Sequence, residues 1–206
     1  MPLQNRVTPD GQVIFSPARG TMMGVRGGAF HRDDQTLKAR QWASKQWICC
    51  VLEFKGRRRQ LMQPGRFTEL FLLDEATAFA AGHRPCFECR RADATRFAEL
   101  WSAVHGGIGR ASAPAMDEAL HAERCSAPDR RKVNMPVASL PDGVFVRVNG
   151  QPAVVLGRSL LTWTPHGYSA VLDRPESSTI EMITPPSTVA VIRAGYRPML
   201  HPSSKK

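Results

Sequence analysis

The residues best suited to chemistry are two cysteines separated by two residues, in the run Gly82-His83-Arg84-Pro85-Cys86-Phe87-Glu88-Cys89-Arg90. A turn at that spacing directs both sulfurs at one tetrahedral zinc, and the helix expected to follow offers N–H groups and a positive dipole end that favour thiolates. A redox dithiol shares the spacing but ordinarily follows a strand of a βαβ unit, which is not what precedes it here. Upstream, Cys49 and Cys50 are adjacent on an expected strand. Successive strand side chains face opposite ways, so one of the two joins Cys86 and Cys89. Cys50 shares its face with Ile48, Leu52 and Phe54, the more apolar side, and is the expected ligand. A further ligand is open among His31, His83, His121 and Cys125, and the candidate metal set is Cys50, Cys86, Cys89 and His121.

The segment DEATAFAAGHRPCFECRR, residues 74–91, resembles the helix-plus-knuckle half of the Ada-type metal-binding domain. That pattern, a capped helix followed by Ala-Ala-Gly-aromatic-Arg-Pro-Cys-x-x-Cys, recurs in DNA-alkylation response proteins and as an appendage on some secreted nucleases. The resemblance implies two further ligands from an upstream pair, and a cysteine able to accept a methyl group from damaged DNA phosphate. This chain departs from the pattern there, offering only the adjacent Cys49-Cys50, and it places His83 where the family has its aromatic residue.

A second constellation competes. His121-Ala122-Glu123, taken with Pro85, Cys86 and Cys89, resembles the signature of zinc-dependent nucleoside and nucleobase deaminases, in which a glutamate shuttles protons. Here the His-x-Glu element follows the cysteine pair, the reverse of that family's order. Residues two apart in a helix diverge by about 200°, so His121 and Glu123 meet one metal only at a helix end. Glu123 also falls on the apolar face of its expected helix, with Met116 and Leu120, where a carboxylate needs a partner or a raised pKa. A structural ion pair with an arginine and a catalytic acid/base role are both open for it.

Charge points to a polyanionic partner: 28 Lys and Arg against 18 Asp and Glu give a net +10, concentrated in the cysteine-bearing part. Lys55, Arg57, Arg58 and Arg59 line an expected hairpin, and Arg90 and Arg91 flank the knuckle. These six are the candidate nucleic-acid contacts, with Trp42, Trp47 or Phe67 available to stack on bases. The Gly/Arg segment 19–31 has backbone N–H groups for an anion but no ordered GxGxxG and no P-loop lysine.

The elements that must position these groups form an α+β pattern. Residues 1–34 read mostly as loop; strands are expected at Gln46–Phe54 and Phe67–Leu73, and helices at Glu75–Ala81, about Ala92–Val104 and near Pro114–Arg124. Asn149-Gly150 signals a hairpin between Val144–Val148 and Ala153–Leu156, continued by strands at Leu160–Trp163, Tyr168–Leu172 and Thr179–Ile183. The organisation is a zinc-bearing part, 1–130, and a small β-rich part, 131–206, ending in a short helix. Asp74–Pro85 and Ser187–Pro198 echo each other in a helix that stops at Ala-Gly-aromatic-Arg-Pro. Five cysteines, an odd count, suit reduced thiols better than a disulfide framework, and the absence of an apolar leader or membrane-length run suggests a soluble, cytoplasmic chain. The expected function is a structural-zinc protein that binds nucleic acid or another phosphate-rich partner. The alternatives are a zinc hydrolase or deaminase-like enzyme using Glu123, and a protein-interaction module.

Overall fold

A computed structural model of the chain describes residues 1–57, 60–125, 133–175 and 179–205. Arg58 and Arg59, two of the expected phosphate contacts, lie outside the described residues. The fold is α+β, with two six-stranded sheets, and α1 is the hub between them.

The first sheet contains β1 (Gln4–Val7), β2 (Val13–Phe15), β3 (Met22–Arg26), β4 (Trp47–Val51), β5 (Leu70–Leu72) and β6 (Arg84–Pro85), in the order β2-β1-β5-β3-β4-β6. The expectation of loop over residues 1–34 is therefore corrected, because three strands lie there. They are three to five residues long, too short for a period of two to show, and are held by neighbours distant in sequence. The expected β4–β5 hairpin is corrected too: β3 lies between them, pairing Met22 with Val51 on one side and with Leu72 on the other. Gly24 permits this crowding, since a Cβ there would sit 2.8 Å from Leu72 Cδ1 and 3.4 Å from His83 Nε2.

Helix α1 (Glu75–Ala80) starts at Asp74, whose carboxylate accepts the Thr77 N–H at 2.8 Å, and all six of its residues are buried. Its small side chains let both sheets approach. Ala78 packs with Val7, Leu70 and Leu72; Ala76 and Ala80 pack with Phe145, Val154 and Leu161; Phe79 enters the largest core with Phe97, Trp101 and Tyr196. Gly82, at φ +82°, then turns the chain, and the His83 N–H returns to the Ala78 carbonyl. The echo segment stops its helix in the same way: Gly195 has φ +111° and the Tyr196 N–H returns to the Val191 carbonyl.

Helix α2 (Arg91–Val104) buries Ala94, Phe97, Ala98 and Trp101, the stripe its spacing predicts, and α3 (Ala113–Cys125) buries Met116 and Leu120. The second sheet is wholly antiparallel: β7 (Val133–Pro136), β8 (Phe145–Val148), β9 (Gln151–Leu156), β10 (Ser159–Thr164), β11 (Gly167–Asp173) and β12 (Thr179–Met182), in the order β11-β10-β9-β8-β12-β7. Asn149 and Gly150 take φ +48° and +78°, as the type I′ turn between β8 and β9 requires. Strand β7 pairs with β12. Helix α4 (Pro186–Arg193) follows. The C-terminal tail then docks on the start of α1, where Asp74 accepts the His201 N–H at 2.9 Å and the Tyr168 hydroxyl at 2.6 Å. The largest core mixes Phe97, Trp101 and Leu120 with Val146, Val155 and Ile192, so both halves share it. No helix among the described residues is long and apolar enough to cross a membrane.

Candidate metal centre

Parallel pairing of β4 with β6 assembles the cysteine group. The Cys86 N–H donates to the Cys49 carbonyl at 3.0 Å, which brings the end of β6 beside β4. A tight turn follows, closed by the Arg90 N–H on the Cys86 carbonyl, before α2 begins. The ligand atoms of Cys50, Cys86 and Cys89 consequently lie within 4.8 Å of one another, a group that could hold a metal ion. The Glu88 N–H points at Cys86 Sγ, 3.4 Å away. The Cys86 thiol is drawn down to about 5, foremost by the hydrogen bond from Cys50 and then, against the opposing effect of burial, by backbone N–H groups of Cys89 and Glu88. As donor, Cys50 is pushed up, and Cys89 is pushed up by burial.

Strand alternation separates the adjacent pair as expected, but the reason lies elsewhere. The better-buried face of β4 carries Trp47 and Cys49, whereas Ile48 is only half-buried and Leu52 is exposed. Cys49, fully buried, faces the first sheet's core and receives an Arg90 N–H at 3.7 Å. Its thiol is pushed up, chiefly by burial.

Arg90 is placed by the structure in the interior, not on the basic face. It is 4% exposed and is paired with Glu75 at 2.6 Å and Asp93 at 2.8 Å. Glu75 in turn accepts from the Tyr196 hydroxyl at 2.8 Å and the Met199 N–H at 2.9 Å. Arg84, on the N-terminal side of the cysteine turn, is also internal and is clamped by both oxygens of Asp117. Lys55, Arg57 and Arg91 are exposed.

Among the described residues, His121 is not in the metal group. Its ring meets Trp42 edge-on and its Nδ1 lies 3.6 Å from Cys125 Sγ. Glu123 accepts the Ser187 N–H and hydroxyl, satisfying donors at the start of α4 in place of the arginine that the sequence suggests. The structure thus leaves the His-x-Glu element apart from the cysteine group. His31 uses both ring nitrogens, on Thr68 at 2.7 Å and the Gln63 carbonyl at 3.2 Å. A feature that sequence reasoning missed is the stack around Trp47: Arg26 and Arg124 each hold a guanidinium carbon 3.9 Å from its ring centre, and His83 packs at 5.3 Å. Trp47 is therefore buried and no base-stacking platform.

His83 is fully buried, with Nδ1 3.2 Å from the Ala78 carbonyl and Nε2 without a partner. A carbonyl only accepts, so Nδ1 carries the proton. Burial, then the charges of Arg26 and Arg124, hold the imidazole pKa well below its ordinary value. The unfolded chain therefore binds a proton that the folded chain refuses, and stability falls as pH drops below about 6.5. We expect His83→Asn, compared by denaturant unfolding at pH 7 and pH 5.5, to lose about 1 kcal/mol less than the wild type across that interval. Equal losses would refute this assignment.

The chain matches no protein-family model, and neither curated proteins nor solved structures provide a match.

Proposed function

We propose that the chain is a structural-zinc protein that binds nucleic acid through the exposed basic face beside its cysteine group. The convergence of Cys50, Cys86 and Cys89 from two separate segments carries the reading. Tetrahedral zinc with bonds of about 2.3 Å sets sulfurs about 3.8 Å apart, which the spread of the three thiols accommodates, and soft thiolates select zinc over hard cations. In that role the metal ties β4 to the knuckle and supplies folding free energy.

The surface nearby supports the second half. Lys55 and Arg57 lie over the Phe54 ring at 5.1 and 5.5 Å, and Arg110 lies over Phe87, next to Arg91 in a shallow pocket. Cations interleaved with partly exposed aromatics suit a phosphate backbone with unstacked bases. Fluorescence anisotropy with a short labelled DNA and the matching RNA, across a salt series, tests this. Alanine at Lys55, Arg57 or Arg91 is expected to lower the slope of log affinity against log salt by about one each. Undetectable binding to both at low salt would remove the nucleic-acid reading.

A further inference from the structure

A cleft of about 990 Å³ opens between the first sheet, the C-terminal end of α3 and the loop from β12 to α4. It lies outside the cysteine group and the basic face, and its lining has an imbalance of partners. Its carboxylates are engaged: Arg147 pairs with both Asp10, at 3.2 Å, and Glu181, at 3.1 Å, and Glu123 is bonded to Ser187. Its donors are not. Arg26 is 1% exposed and forms no ion pair among the described residues. One of its N–H groups reaches the Gly11 carbonyl at 2.8 Å, while Nε has no partner. The indole N–H of Trp42, in the same lining, is likewise buried and without an acceptor.

Arg26 and Arg124 each hold a guanidinium carbon 3.9 Å from the Trp47 ring centre, and both line the cleft. Burial and the neighbouring Arg124 push the Arg26 guanidinium down to about 9, the direction expected of a cation lacking a counter-charge. An unpaired buried donor costs free energy that an acceptor would recover, and a charged donor most of all. Cys125 lines the cleft and is exposed, whereas Cys49, Cys50 and Cys86 are buried and Cys89 is half-buried.

We propose that this cleft is a binding site for a small oxyanion, a phosphate or carboxylate group seated on the N–H donors of Arg26 and Trp42. Cys125 stands at the rim, so an occupant shields its thiol. Inorganic phosphate and succinate serve as separate probes, with sodium chloride matched for ionic strength as the control. Each is titrated against tryptophan fluorescence and against the rate at which iodoacetamide alkylates Cys125, followed by peptide mass. A saturable change with phosphate or succinate but not with chloride is expected, together with slower alkylation of Cys125, and the stronger probe identifies the head group. Arg26→Gln is expected to weaken binding by about 10- to 100-fold, the loss of one charge-assisted bond. Trp42→Phe keeps the half-buried ring, removes the N–H and is expected to weaken binding severalfold, which keeps the proposal testable if Arg26→Gln does not fold. No saturable response to either probe, a response matched by chloride, or unchanged affinity in Trp42→Phe together with any folded Arg26 variant would overturn it.

Discussion

Serine in place of Cys50, Cys86 or Cys89 is expected to abolish stoichiometric zinc and to lower the unfolding midpoint sharply, while Cys49→Ser keeps the metal. The contrast follows from geometry: three sulfurs converge, and the fourth, one residue from Cys50, is turned toward Arg90 and the core. Apparent binding free energies of structural zinc sites run to about 10 kcal/mol or more, larger than the whole stability of many domains. Losing one thiolate of three therefore threatens the fold as well as the site. Chelation of the wild type should reproduce the serine phenotype, with β4 and the knuckle losing hydrogen-exchange protection first. Elemental analysis of protein never exposed to chelator, with thermal unfolding of the four variants, checks this. A metal-free wild type that is stably folded would refute the zinc reading, and loss of metal in Cys49→Ser alone would reverse the ligand assignment.

The cysteine motif was legible because its grammar is local. A cap at Asp74, a stop at Gly82 and two sulfurs at turn spacing all fall within residues 74–89, and no distant partner is needed to read them. Cys50 was legible through strand period alone, although the apolar-face argument pointed to the half-exposed side of β4. What could not be read depends on neighbours far away in sequence. Arg90 looks like a surface charge beside a knuckle, yet Glu75 comes from α1 and Tyr196 from beyond α4. Glu123 sits on an apolar face as expected, but its partner is the start of a helix 64 residues later. The strands of residues 4–26 are too short to carry a period and exist because β5, from residues 70–72, separates β1 from β3. The cleft joins Arg26, Trp47 and Arg124, three residues whose spacing carries no signal.

Replacing Arg90 with methionine is expected to cost about 3–5 kcal/mol and to do so in a pH-dependent manner. The guanidinium is the counter-charge of Glu75, a carboxylate 1% exposed, and removing one member of a buried pair strands the other. Burial already pushes the Glu75 carboxyl up, and Arg90 opposes that push. Without Arg90 the folded-state pKa rises further above the unfolded value, so the folded protein takes up a proton that the unfolded chain releases. Stability of the variant then increases as pH falls from 7 toward the unfolded carboxyl range, and its deficit relative to wild type narrows. Glu75→Gln in the same background should remove that pH dependence and restore part of the loss, because a neutral amide leaves no buried charge unpaired and its oxygen still accepts the Met199 N–H. Denaturant unfolding of the wild type, both single variants and the double variant at two pH values gives the coupling energy directly. Additive losses with no pH dependence would show that Arg90 acts by packing alone. A deficit that narrows at low pH would place Arg90, Glu75 of α1 and the C-terminal tail in one charge network.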